Sequence, residues 1–248
     1  VNIFITGGTT GIGLALAKLY LEEGHRVGIC ARNINKFPSE IKNKYKMLSC
    51  YEVDVTNRES LFKAVNDFAP DGVDMMIANA GRSVGAKTKT PQFSVAHEVM
   101  DINIKGVLNA FDVALDKMMV KKSGHLVATA SVAGFMGLPG AAAYSASKAA
   151  VLKLCESYAI DLKRLNINVT AVAPGFVDTP LTKQNNHKMP FLMSADKAAQ
   201  LIKRAIEKKK VLYVFPFRMK MVVTILDKMP RSLYRFLMTL KFFNYSEE

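Results

Sequence analysis

Short apolar runs rich in β-branched residues alternate, from one end of the chain to the other, with longer stretches whose apolar positions recur every three or four residues. A compact apolar run reads as a buried strand, and the longer recurrence as the inward face of a helix. On that basis residues 2–6, 27–31, 47–53, 74–78, 125–130, 167–172 and 211–215 are expected as strands, and 12–23, 58–68, 94–119, 142–165 and 195–209 as helices. Repeated strand-helix units of this size predict an α/β fold. Its sheet should be doubly wound, mostly parallel and seven-stranded, with helices covering both faces.

Two stretches break the rhythm. Residues 181–194 read as an irregular excursion before the last long helix. Residues 217–243 carry apolar stripes (Met219, Val222, Val223, Leu226, Met229, then Leu233, Phe236, Leu237, Leu240) interrupted by Arg218, Lys220, Lys228, Arg231 and Arg235. Pro230 should divide them into two short helices. Such a tail has three uses: capping the sheet edge, contacting a second subunit, or lying on a membrane surface.

Composition narrows the class. The 248 residues and 27.3 kDa, 50% hydrophobic, suffice for one substantial core, and without a linker or repeat the chain reads as a single domain over 1–248. Cys30, Cys50 and Cys155 are odd in number and lie in apolar runs, as reduced thiols of a cytoplasmic protein do. The four histidines form no ligand-like cluster, so no metal is expected. The chain opens on an apolar strand with no signal-peptide pattern, and its longest uncharged run, 123–147, is interrupted by Gly, Pro and Ser, unlike a bilayer span. Of the net charge of +13, residues 180–248 hold +9, from 14 Lys/Arg against 5 Asp/Glu. That excess concerns partners rather than fold, and no nucleic-acid recognition motif accompanies it.

Candidate chemistry starts at Thr6-Gly7-Gly8-Thr9-Thr10-Gly11-Ile12-Gly13, between the first strand and the first helix. Glycines there permit a tight turn and close backbone approach to a pyrophosphate, whose charge the helix N-terminus meets. The spacing, Thr-Gly-x-x-x-Gly-x-Gly, departs from the ordinary Gly-x-Gly-x-x-Gly rhythm. Further along, Tyr144 and Lys148 stand four apart on a helix, which stacks phenol and ammonium on one face. The cation would favour a phenolate, and the pair would serve as a proton donor for a carbonyl; taken alone, the same spacing also suits an exposed Tyr and Lys. Ser131 lies thirteen positions upstream at the end of a strand, placed to hydrogen-bond a substrate oxygen or to cap a turn.

Together these motifs resemble the classical short-chain dehydrogenase/reductase family, over residues 2–180 and the later strand. The resemblance implies a three-layer Rossmann fold and hydride transfer between a nicotinamide cofactor and a carbonyl or alcohol. It implies that Tyr144 is the general acid/base, Ser131 the oxygen ligand, Lys148 also the ribose ligand, and Asn103 the holder of a water linking Lys148 to solvent. Cofactor contacts carried over are Gly7, Thr9, Thr10, Gly11, Ile12 and Gly13; Ala31 and Arg32; Asp54, at the adenine, with Val55; Asn79, Ala80 and Gly81; and Pro174, Gly175, Val177 and Thr179 beside the nicotinamide. Ala78 stands where the family often has a second Asn.

The end of the second strand sets the cofactor. An Asp there would accept the ribose hydroxyls of NAD; this chain has Ala31 followed by Arg32, whose guanidinium can pair with a 2′-phosphate, so NADP(H) is expected. Apolar residues Phe135, Met136, Leu138, Phe176, Phe191, Leu192 and Met193, with residues 83–87, are expected to wall the substrate pocket, suiting an apolar ketone, aldehyde or alcohol. Residues 179–194 should form a substrate cover. The resemblance further implies a homodimer through the helices at 94–119 and 142–165. A catalytically weak NADP-binding scaffold and a peripheral membrane protein are the alternatives.

Overall fold

The computed structural model describes residues 1–83, 90–184 and 189–240. β1 (Asn2–Thr6) starts the sheet, and its two-residue period sends Ile3 and Ile5 to one face and Phe4 to the other. The remaining sheet strands are β2 (Arg26–Ala31), β3 (Leu48–Glu52), β4 (Met75–Ala78), β5 (Gly124–Thr129), β6 (Ile167–Pro174) and β9 (Leu212–Phe215). They lie in the order β3-β2-β1-β4-β5-β6-β9, and every neighbouring pair is parallel. The expected seven-stranded, doubly wound sheet is therefore present, and its strand order reverses between β1 and β4, where ligands bind in such sheets.

Apolar helix faces cover the sheet on both sides. α3 (Arg58–Phe68), α5 (Gly106–Lys121) and α6 (Ala142–Asp161) pack Leu61, Phe68, Phe111, Met118 and Val151 against Phe4, Met76 and Leu126. α1 (Gly11–Glu22) and α7 (Ala195–Glu207) pack Leu16, Leu21 and Ile202 against Ile3, Ile5, Val127 and Val172. Burial of each Leu, Ile or Phe is worth about 1.5–3 kcal/mol, enough in sum to order both faces. Sheet strands and long helices fall close to the expected boundaries. Short α2 (Ser39–Lys44) and the two-stranded β7 (Val177–Asp178) and β8 (Met193–Ser194) have too few residues for a period to register.

The helix expected over 94–119 is present as one continuous run made of α4 (Phe93–Met100), a π-turn at Asp101–Lys105, and α5. The wider turn carries Asn103 into the interior, as π-bulges often do at functional sites. The tail packs at the sheet edge, with Val214 of the edge strand β9 against its apolar side chains. Pro230 divides α8 (Phe217–Lys228) from α9 (Arg231–Thr239), and Met219, Val223 and Tyr234 are buried with Met136 in a third apolar cluster. Tyr234 Oη donates a 2.6 Å hydrogen bond to the Gly137 carbonyl, tying α9 to the loop after Ser131. Of the expected tail, residues 241–243 lie outside the described residues.

Candidate active site

The carboxyl ends of β1, β4, β5 and β6 open onto one cleft of about 200 Å³. It collects Gly7, Thr9, Thr10, Gly11, Ile12, Asn79, Ala80, Gly81, Ser131, Tyr144, Lys148, Pro174, Gly175, Val177 and Thr179. Residues from five separate parts of the chain thus meet where the strand order reverses.

The glycine turn is built for backbone proximity. Gly7 has φ +67°, and a Cβ there would meet Ala80 Cα at 2.8 Å. A Cβ on Gly13 would lie 2.2 Å from the Gly7 carbonyl oxygen, so any side chain would push the turn off the start of α1. Thr10 precedes α1 with no side-chain cap, and the first turn holds no acidic residue, leaving its N–H groups and positive dipole end to the cleft. The turn is braced from β4: Asn79 Nδ2 donates to the carbonyls of Thr6 and Gly7 at 3.2 Å each. The amides of Asn79 and Ala80 both donate to Thr6 Oγ1 at 3.0 Å.

At the other end, Tyr144 and Lys148 lie one turn apart on α6, with Lys148 Nζ 5.8 Å from the Tyr144 ring centroid. Lys148 is buried, and its ammonium donates a 2.7 Å hydrogen bond to the Thr129 carbonyl. Thr129 Oγ1 in turn donates to Asn79 Oδ1 at 3.2 Å, so polar contacts run from the lysine back to the glycine turn. Burial lowers the Lys148 pKa to about 8, which keeps it largely charged at neutral pH. Burial pushes the Tyr144 phenol above the ordinary tyrosine value, and the Ser131 hydroxyl beside it only partly offsets this. Desolvation is the larger of the two effects.

Ser131 caps the turn Val132–Phe135, its Oγ accepting from the Ala133 amide at 3.1 Å, and the residue also lines the cleft. Asn103 lies behind the cleft rather than in its lining. Its Oδ1 accepts from the Arg82 amide at 2.8 Å, and its Nδ2 donates to the Arg82 carbonyl and Ser147 Oγ, both at 2.9 Å. Both amide protons are committed to protein partners. Gly81 separates the two polar groups, since a Cβ there would lie 3.3 Å from Asn103 Oδ1 and 3.5 Å from Lys148 Nζ.

Gly13, Ala31, Arg32, Asp54 and Val55 also lie outside the cleft lining. Arg32 is exposed just beyond the end of β2. Asp54 is half-buried, and its Oδ1 accepts from the Thr56 amide and hydroxyl at 2.9 and 2.8 Å. Val55 is buried, and its carbonyl accepts from Asn109 Nδ2 at 2.8 Å. Thr179 is fixed through its amide, which donates to Thr182 Oγ1 at 3.0 Å.

The residues expected to wall the substrate pocket lie apart from the lining of this cleft. Phe135, Leu138 and Phe176 pack around Met136 and the inner faces of α8 and α9, Met193 joins the core under α7, and Phe191 and Leu192 are exposed. None of the seven lines the cleft. Phe135, Met136, Leu138 and Phe176 help to seat the tail, a role that an apolar pattern alone does not distinguish from a pocket wall. Of residues 83–87, those after Ser83 lie outside the described residues, as do 185–188 of the expected cover. Arg82, Leu181 and Thr182 line the cleft without having been singled out. Arg82 is ion-paired with Glu98. Thr129 and Ser147 were missed as well, and a hydroxyl next to motif residues was the only signal for them. Among the described residues no group of His, Cys, Asp or Glu is placed to hold a metal.

Residues 1–190 match the family model described as short chain dehydrogenase. An uncharacterized oxidoreductase of Myxococcus xanthus is 32% identical over 235 residues, covering 93% of this chain and 93% of its own length. One from Staphylococcus aureus is 34% identical over 186 residues, 73% of this chain and 80% of the relative. A short chain dehydrogenase from Burkholderia cenocepacia, solved in complex with NADP, superposes with a TM-score of 0.84 at 22% identity, covering 96% and 98% of the two chains. One from Sphingobium yanoikuyae, solved with NADPH, gives 0.80 at 19% identity over 96% and 95%.

Proposed function

The chain belongs to the short-chain dehydrogenase family, and from that premise we propose that it is an NADP(H)-dependent oxidoreductase interconverting an apolar ketone or aldehyde and its alcohol. The observation that carries the reading is the meeting of Tyr144, Lys148 and Ser131 with the glycine turn in one cleft. The cradle suits a dinucleotide: side chains are excluded at Gly7 and Gly13, and the start of α1 is free to receive a pyrophosphate. NADP(H), when bound, supplies or accepts the hydride. The solved relatives that carry NADP or NADPH support this choice. So does Arg32, exposed with no hydrogen-bond or ion-pair partner among the described residues and free to meet a 2′-phosphate.

This chain's own residues then handle orientation and the proton. Ser131 Oγ holds the carbonyl oxygen and Tyr144 gives it a proton as negative charge develops, a role its neutral phenol fits at physiological pH. Lys148, charged below pH of about 8, stabilises the phenolate left behind. Asn103 acts behind Lys148 as a positioning residue, with Gly81 leaving open the space through which a water would relay the replacement proton. Ala130, Val177 and Leu181 give the cleft its apolar lining, and the pairing of Arg82 with Glu98 removes a cation that would favour acidic substrates.

The remaining expectations enter the proposal too. Residues 179–184 and 189–194, the described parts of the expected cover, flank the substrate, and the fold forms one domain. The chain is cytoplasmic; among the described residues no helix is long and apolar enough to cross a membrane. A homodimer through α5 and α6 is supported by Leu108 and Ile160, exposed on those helices, beside a groove between them lined by Leu115 and Tyr158. The test is NADPH oxidation over aldehydes and ketones of increasing apolar size. Turnover that rises with apolar size supports the proposal, and none with any carbonyl counts against it.

A further inference from the structure

We infer that α8 and α9, continued by Phe191 and Leu192, form a docking surface for an anionic phospholipid bilayer. The two helices carry apolar residues on two faces each. The inner faces, with Met219, Val223 and Leu226 on α8 and Tyr234 and Met238 on α9, are spent on packing against the loop after Ser131. The outer faces are not. On α8, Phe217, Met221 and Ile225 recur every four residues on one exposed stripe, with Phe217 73% and Ile225 60% exposed. On α9, Leu233, Phe236 and Leu240 make a second stripe, with Phe236 62% exposed. With Val222, residues 217–240 hold seven of the nineteen large apolar side chains exposed among the described residues. Exposed apolar stripes concentrated in one segment in this way mark an interaction site.

Charge selects the occupant. Arg218, Lys220, Lys228, Arg231 and Arg235 stand against Asp227 alone, leaving residues 217–240 at +4. Asp227 is itself paired with Arg231, at 3.4 Å. A second copy meeting this surface by its own equivalent would oppose two faces of like charge, which is costly. A negatively charged lipid surface meets both features: acyl chains take up the apolar stripes, and headgroups the cations. The helices are too short to span a bilayer, so the contact is interfacial.

The surface also adjoins the catalytic cleft. The Arg218 guanidinium stacks 5.8 Å from the centroid of the Phe191 ring, so the apolar patch runs from α8 onto the segment that follows the cleft residues Leu181 and Thr182. The residues matched by the family model end at 190, so α8 and α9 lie beyond its span.

The test is sedimentation of the full chain with vesicles of phosphatidylcholine alone or mixed with phosphatidylglycerol, beside the triple variant Phe217→Ser/Ile225→Ser/Phe236→Ser. All three side chains are exposed and outside the cleft, so thermal unfolding and NADPH-dependent reduction of a short, water-soluble aldehyde should match the parent chain. The parent is expected to pellet with the mixed vesicles, less so as salt is raised, and the variant to bind them at least about tenfold more weakly. A parent chain that stays in the supernatant overturns the inference, as does a variant that pellets equally. A dimer dissociated by the triple substitution, with no vesicle binding, overturns it in favour of a second copy. Loss of aldehyde reduction in both proteins counts against the oxidoreductase reading and leaves the docking result standing.

Discussion

Asn103 Nδ2 donates a 2.9 Å hydrogen bond to Ser147 Oγ, joining the π-turn at Asp101–Lys105 to the helix that carries Tyr144 and Lys148. Ser147 Oγ passes the contact on, donating to the Tyr144 carbonyl at 2.8 Å. Both residues are fully buried, so neither can exchange its partner for bulk water.

Asn103→Leu keeps the volume and removes these bonds, stranding the Arg82 amide and carbonyl at a cost of about 1–3 kcal/mol per unsatisfied group. The expected outcome is a lower thermal midpoint, a kcat at least about tenfold lower and an altered pH-rate profile near the Lys148 pKa, with KM for NADPH changed much less. A lower midpoint with kcat and pH profile unchanged would make Asn103 purely structural.

This link also marks where the sequence becomes illegible. The glycine turn, the Tyr144/Lys148 pair and the strand-helix alternation are local patterns, and each stands in the structure within four residues of its expected place. The contacts of Asn103 with Ser147, Lys148 with Thr129, and Tyr234 with Gly137 join positions 44, 19 and 97 apart, and no local period encodes them. The π-turn adds one residue to a helical repeat without changing its apolar character. Phe135 and Met136 show the same limit: their sequence states that they lie against something apolar, and no local pattern names α8, far along the chain, as a partner.

Acid stability should depend on His125. It is buried, with Nε2 2.8 Å from Thr170 Oγ1, and burial together with repulsion from Lys209 holds its pKa down at about 4. A pKa lower in the folded than in the unfolded chain means that the unfolded state takes up the proton first. The associated stability is complete above the unfolded value of about 6.5 and is lost as pH falls toward 4, on the order of 3 kcal/mol. Urea unfolding at pH 7, 5 and 4 should therefore fall more steeply for the parent than for His125→Gln. Equal slopes would remove His125 from the account.

Cofactor choice should turn on Arg32. Replacing it with Asp removes the guanidinium and places a carboxylate where a 2′-phosphate would lie. Arg32→Asp should bind NADPH roughly 10- to 100-fold more weakly, the value of one or two charge-assisted hydrogen bonds, while NADH binding holds or improves. Fluorescence titration with both nucleotides measures this, and an unchanged NADPH preference would contradict it.

The central claim is that Tyr144 delivers the proton. The direct measurement is the single-turnover rate of NADPH oxidation by Tyr144→Phe with the best carbonyl substrate, alongside its NADPH dissociation constant. The account predicts a rate lower by about 10²- to 10⁴-fold, the usual worth of a positioned general acid, with NADPH binding within about twofold of the parent. A rate close to the parent's, with nucleotide binding intact, would contradict it.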